Sequence, residues 1–174
     1  MNRNFTKKVV WGMASIMLLA SSNALWAAQH PDSAGLSINA GMAGSWANAS
    51  IPGQGLFIDV DPSTQTLFLA WFTYTAIPQP GNSTIGSPSN KWFVAVGNYQ
   101  QASTEVELTL IETDGGIFDQ ASIVNETEIG SLLLRFSDCE TASMEFNFDD
   151  GSASGTIDLA RLTSGEVCES IISN

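Results

Sequence analysis

From about residue 35 onward the chain repeats one pattern, and that pattern constrains the fold more than any other feature. A short apolar segment is followed by a cluster of turn formers, and then by the next segment. The segments lie near 36–47, 55–61, 66–75, 91–98, 104–112, 129–137, 142–149 and 154–162, separated by stretches such as "PGQG", "DPSTQ", "ETDGG" and "DDGSASG". Gly, Pro, Asn, Asp and Ser favour these positions because they supply turn geometry and local hydrogen bonds. Eight short, closely spaced strands predict an all-β antiparallel fold, an eight-stranded meander barrel, with a β-sandwich as the alternative. No segment sustains a 3.6-residue period with caps, so little helix is expected.

Alternate residues of a strand point to opposite faces. In "EVELTL", Val106, Leu108 and Leu110 share one face and Glu105, Glu107 and Thr109 the other. "SLLLRFS" groups Leu132, Leu134 and Phe136. "ASMEFNFDD" groups Ala142, Met144, Phe146 and Phe148 opposite Ser143, Glu145, Asn147 and Asp149. This half of the domain therefore has one packed face and one acidic, solvated face. By the same parity Arg161 points inward with Ile157 and Leu159, and an inward charge requires partners.

"LFLAWFTYTA" (67–76) and "KWFVAVG" (91–97) break the alternation. Leu67, Leu69 and Trp71 lie on one side of the first, Phe68, Phe72 and Tyr74 on the other, and Trp92 and Phe93 oppose one another in the second. Neighbouring strands that are aromatic on both faces predict an apolar patch outside the core. Trp71, Phe72, Tyr74, Trp92 and Phe93 are the candidate ligand-binding residues. Such a patch suits a carbohydrate, an apolar small ligand or a protein partner. Residues 76–90, rich in Pro, Gly and Ser, form a loop far longer than a plain hairpin needs. The expected function is a non-catalytic exported binding or interaction module. The alternatives are a carbohydrate-active hydrolase with paired carboxylates, or a purely structural cell-surface domain.

Residues 1–27 have the layout of a cleaved secretory signal: Arg3, Lys7 and Lys8, an apolar stretch from Val9 to Ala20, then small residues at Ala24 and Ala27. A flexible segment, 28–34, and a single β domain, 35–174, are expected to follow, in a secreted or periplasmic location. Cleavage leaves Lys91, Arg135 and Arg161 against 18 acidic residues, a net charge of roughly −15. That balance argues against nucleic acid and anionic membrane surfaces. An outer-membrane barrel would need an outward apolar band around every strand. The alternate polar residues of 104–112 and 142–149 do not provide one, so no integral membrane protein is expected. Cys139 and Cys168, an even pair in an oxidising compartment, read as a disulfide tying the C-terminal tail to the domain. Such a bridge contributes roughly 3–4 kcal/mol in the chain-entropy model.

The order of "GSW" (44–46), "GQGLFIDV" (53–60), "LFLAWFTY" (67–74), "KWFVAVG" (91–97), "GGIFD" (115–119), "GSLLLRFSDC" (130–139) and "GTIDLARL" (155–162) resembles an uncharacterised β-domain family of secreted and cell-surface bacterial proteins. The 76–90 loop departs from that family, which has a short turn there. The resemblance implies one complete β domain and supplies no catalytic residues. "GSW" and "LARL" also resemble the closure of lipocalin-like barrels, implying that Trp46 packs over Arg161 with a cation–π contact. "GSWAN" is similar to avidin-like barrels over one strand only.

Catalytic signatures are sparse. His30 is the single histidine, so Ser–His–Asp and Cys–His catalysis lack their usual base, and no typical zinc set is present. No cofactor is implied. Asp59 and Asp61 in "DVDPS" and Asp149 and Asp150 in "DDGS" are weak calcium candidates, without EF-hand spacing.

Overall fold

In the computed structural model the chain divides into Met1–Pro31 and Asp32–Asn174. The described residues, 36–48, 50–75, 90–117 and 119–173, lie in the second unit. The proposed signal, His30 and nearly all of the 76–90 loop fall outside them.

Eight antiparallel strands follow in chain order: β1 (Gly44–Ala47), β2 (Gly55–Asp61), β3 (Thr66–Tyr74), β4 (Asn90–Asn98), β5 (Glu105–Asp114), β6 (Asn125–Phe136), β7 (Thr141–Phe148) and β8 (Ser154–Arg161). Each pairs with the next, and β8 returns to β1 through Trp46↔Arg161 and Ala47↔Ala160, closing a meander barrel. Closure excludes the sandwich. The first strand is shorter than the 36–47 segment suggests. Asn39 accepts from Gly41 N at 2.8 Å, capping a single 3-10 turn at Ala40–Met42, and only after it does the chain extend. The tail also holds a short helix, α1 (Glu166–Ile172), too brief to show a helical period in the sequence.

The inward face of each strand fills the barrel. Leu67, Leu69, Leu108, Leu110, Leu132, Leu134 and Met144 are fully buried at its centre, removing their apolar surface from water as the main driving force. At Leu110/Ile111 the β5–β6 register shifts: Leu110 pairs with Gly130 and Ile111 with Glu128, so Ile129 is an extra residue on β6.

One end of the barrel is plugged. Trp46 is buried, its Nε1 donates to Met42 O at 3.1 Å, and its ring meets Phe136 edge-on at 5.5 Å. The Arg161 guanidinium lies 5.0 Å from the Trp46 ring centroid and donates to the carbonyls of Ala43 and Gly41. Burial pushes the Arg161 pKa down, and the charge of Glu140 opposes that shift. The guanidinium remains charged. The Cys139–Cys168 disulfide, spanning 29 residues, pins α1 across this end, with Cys168 Sγ 3.7 Å from Met42 Sδ. Gly41 is required by the approach of α1, because a Cβ there would collide with the backbone of Cys168.

Two outcomes follow from the plug. Arg161→Met strips Gly41 and Ala43 of their donor and uncovers Trp46; we expect a loss of roughly 2–4 kcal/mol in urea unfolding. At the β6–β7 turn, Asp138 accepts from Glu140 N and Thr141 N, each at 2.7 Å, and from Thr141 Oγ1 at 2.8 Å. Burial alone would raise its pKa, but these hydrogen bonds outweigh burial and hold the carboxyl below its usual value. A depressed carboxylate stabilises the fold above its unfolded pKa, about 4, and that contribution vanishes as pH falls through the folded value. Asp138→Ala is therefore expected to cost roughly 1 kcal/mol at pH 7, with the gap to wild type narrowing below about pH 4 in pH-dependent melts.

Candidate functional site

The opposite end of the barrel is where the inward aromatics collect. Trp71 on β3 faces Leu56 on β2 and Phe93 on β4 across the ladders. Phe146 and Phe148 reach the same space from β7. Ring centroids are 5.7 Å apart for Trp71–Phe93, 5.2 Å for Trp71–Phe146, 5.6 Å for Phe93–Phe148 and 6.0 Å for Phe146–Phe148. These are tilted and edge-on contacts, the geometry that ring quadrupoles favour. Trp71 and Phe93 are buried, while Phe146 and Phe148 keep part of their surface open.

That surface faces a cavity of about 550 Å³. Its floor is the four-ring cluster with Ile157. Gln54, Thr73, Tyr74, Lys91, Ser152 and Thr156 supply its polar edge. Gly155, inward on β8, helps to keep it open, since a Cβ there would lie 3.3 Å from the Phe146 ring. Thr73 Oγ1 donates to Gln54 Oε1 at 2.6 Å, holding the β2 and β3 sides of the opening together.

A second hollow of about 300 Å³ adjoins it and shares Phe93, Phe148 and Ser152. Its character is different: Glu112, Glu128, Asp149 and Asp150 line it beside Ile129. Lys91 belongs to the apolar side but is ion-paired to Glu112. Asp150 accepts from Ser152 N at 2.9 Å, and its hydrogen bonds to Ser152 hold its pKa below the usual value.

The five candidate ligand-binding residues are divided between two surfaces. Trp71 and Phe93 are interior and form the cavity floor. Phe72 and Trp92, paired across β3 and β4, stand on the outer wall, where Phe72 meets Phe57 edge-on at 5.6 Å. Phe57, Phe68, Phe72, Trp92 and Val96 are all exposed there, Trp92 by 49%. Tyr74 is exposed at the rim and belongs to the cavity lining. Both faces of "LFLAWFTYTA" are thus apolar for separate reasons, one as core and cavity floor, the other as an uncovered wall.

Three of the four calcium candidates, Asp59, Asp61 and Asp150, accept hydrogen bonds from nearby backbone N–H groups. Asp61 accepts from Ser63 N, Ser63 Oγ and Thr64 Oγ1, and the Ser63 hydroxyl bond leads in lowering its pKa. Asp59 accepts from Val60 N. Asp149 and Asp150 lie at the acidic hollow. No group of three metal-ligating side chains comes together among the described residues. Sequence parity places Phe146 and Phe148 on the inward face without marking them as site residues. Their clue is position: they are two large aromatics at the mouth end of a strand whose buried core already ends at Met144.

These features define a class: an eight-stranded meander barrel, plugged at one end by an Arg–Trp pair and a disulfide-held helix, and hollow and aromatic at the other. Within that class, no family model, curated protein or solved structure matches the chain.

The three described tryptophans should respond differently to acrylamide. Trp92 is the accessible one, so Trp92→Phe is expected to remove most of the red-shifted, quenchable emission. Trp46 and Trp71, at 1% and 4% exposure, account for the protected remainder. In protein from which residues 1–27, with Trp11 and Trp26, have been removed, a quenchable component that survives Trp92→Phe would contradict this arrangement.

Proposed function

We propose that this protein is an exported, non-catalytic binding barrel that holds a small apolar ligand in the aromatic mouth formed by strands β3, β4, β7 and β8. The observation that carries the proposal is the pairing of a plugged, Leu-filled barrel with an apolar cavity at the other end. Ligand sites are commonly concave and apolar with a few polar groups at the edge, and about 550 Å³ lies within their usual range. Trp71 and Phe93, from the two strands singled out by sequence, provide half of the ring floor. Export is supported by the signal-like residues 1–27 and by the disulfide.

Among the described residues no helix is long and apolar enough to cross a membrane. The barrel's polarity argues further against a membrane-spanning role. A membrane barrel is apolar outside and polar inside, whereas this one packs leucines inside and exposes Glu105, Glu107, Arg135 and Glu145 outside. A paired-carboxylate hydrolase has support only in the acidic hollow. A general acid there needs a raised carboxyl pKa; Asp150 is shifted the other way, and Glu112 is engaged by Lys91. The outer wall of Phe57, Phe72 and Trp92 supports a second reading, contact with a carbohydrate or protein partner.

One substitution separates the two surfaces. Gly155 has an ordinary extended backbone, so Gly155→Leu can occupy the cavity with only a small displacement of the Phe146 ring. With N-phenyl-1-naphthylamine as a neutral fluorescent probe, we expect Gly155→Leu to weaken binding at least about tenfold while Trp92→Phe leaves it unchanged. Retained binding in Gly155→Leu together with loss in Trp92→Phe would move the site to the outer wall.

A further inference from the structure

We propose that the mouth selects a particular class of ligand, an apolar cation, with its hydrophobic body on the aromatic floor and its ammonium head towards the acidic hollow. The inference rests on the mouth being the ligand site, as argued above. Two adjoining spaces share Phe93 and Phe148, one walled by rings and the other by carboxylates. A molecule seated on the rings can therefore place its head group beside carboxylates without leaving the mouth. Ring faces attract a cation through their quadrupole, and Phe93 and Phe148, the rings that line both spaces, stand where the head group passes from the floor to the hollow.

The charge of the hollow is one-sided. Of its four carboxylates, Glu112 is paired with Lys91, the only cation among the described residues that line either space. Asp150 is committed to its turn through Ser152. Asp149 N donates to Ile129 O at 2.9 Å, but the side-chain carboxylates of Glu128 and Asp149 take part in no hydrogen bond or ion pair among the described residues. Two uncompensated carboxylates beside an apolar floor disfavour a fatty acid or any other anionic amphiphile, and the 18 acidic residues of the chain against 6 basic ones add to that repulsion. A neutral ligand would gain from the floor and nothing from the hollow.

The test uses three probes with one naphthyl body and different heads: (1-naphthylmethyl)trimethylammonium, 1-naphthalenemethanol and 1-naphthylacetate. Each is titrated into the intact protein by calorimetry at low salt. The ammonium is expected to bind at least about tenfold tighter than the alcohol, and the carboxylate most weakly. Added salt should narrow the gap. The double substitution Glu128→Gln/Asp149→Asn, which leaves the Asp150 turn intact, should remove most of the gap between the ammonium and the alcohol and leave the alcohol unchanged. Equal binding of ammonium and alcohol, or tightest binding of the carboxylate, overturns the charge selectivity and retains the cavity. Binding of none of the three overturns the cavity together with it.

Discussion

The contact between Arg161 and Trp46 is the point on which the architecture turns. A meander of eight strands closes only if its last strand finds its first, and here the two meet over just two residue pairs, one of them Trp46↔Arg161. The same arginine satisfies the carbonyls of the 3-10 turn and covers the indole. It therefore joins the barrel seam to the plug. A charge in this position needs several partners at once, which ties strand closure to the placement of residues 41–43. The disulfide secures the other side of the same end, so α1, the turn and both terminal strands are held at one site.

Concentrating closure at one end leaves the other free to be hollow. The leucine-rich centre supplies the burial that stabilises the domain, and past Met144 the inward residues are rings that pack together yet keep part of their surface open. Phe146, Phe148 and Gly155 occupy the layer where a sealed barrel would place one more tier of aliphatic side chains. The result is a rigid aromatic floor held by the ladder register of β3–β4 and β7–β8, with a polar edge drawn from loops and strand ends. Where the apolar cavity and acidic hollow adjoin, the β5–β6 register shift inserts Ile129 next to Glu128, and both line the hollow with Glu112 and Phe93.

Much of the fold was legible because alternation is a strong signal wherever one face is wet. Strands β5 to β8 could be assigned side by side, down to the inward direction of Arg161. The disulfide followed from an even pair of cysteines. Strands β3 and β4 were legible as strands but not as surfaces. With aromatics on both faces, parity separates Trp71 from Phe72 yet does not say which of them points inward. Only register decides that, by setting Trp71 against Leu56 and Phe93. The shortened first strand depended on a local competitor, the Asn39 side chain, which holds the chain in a turn where propensity favours extension. The cavity was the least legible feature, because it arises from Gly155 on one strand facing Phe146 on another, and no single segment records that vacancy.

The brevity of the seam reaches beyond closure. Because β1 ends at Ala47, residues 154–159 of β8 take part in a β ladder only with β7. This sector of the wall carries Gly155 and Ile157, which border the cavity. The mouth end of β4 is similar, since Asn90–Phe93 pair only with β3 and the β4–β5 ladder is confined to Val94–Val96, whereas the plug end is cross-linked by the disulfide. The barrel is therefore cross-linked at its base and singly laced along two staves of its rim. Rings from the two sectors meet directly, Trp71 with Phe146 at 5.2 Å and Phe93 with Phe148 at 5.6 Å, so side-chain packing spans the mouth where the hydrogen-bond lacing is single.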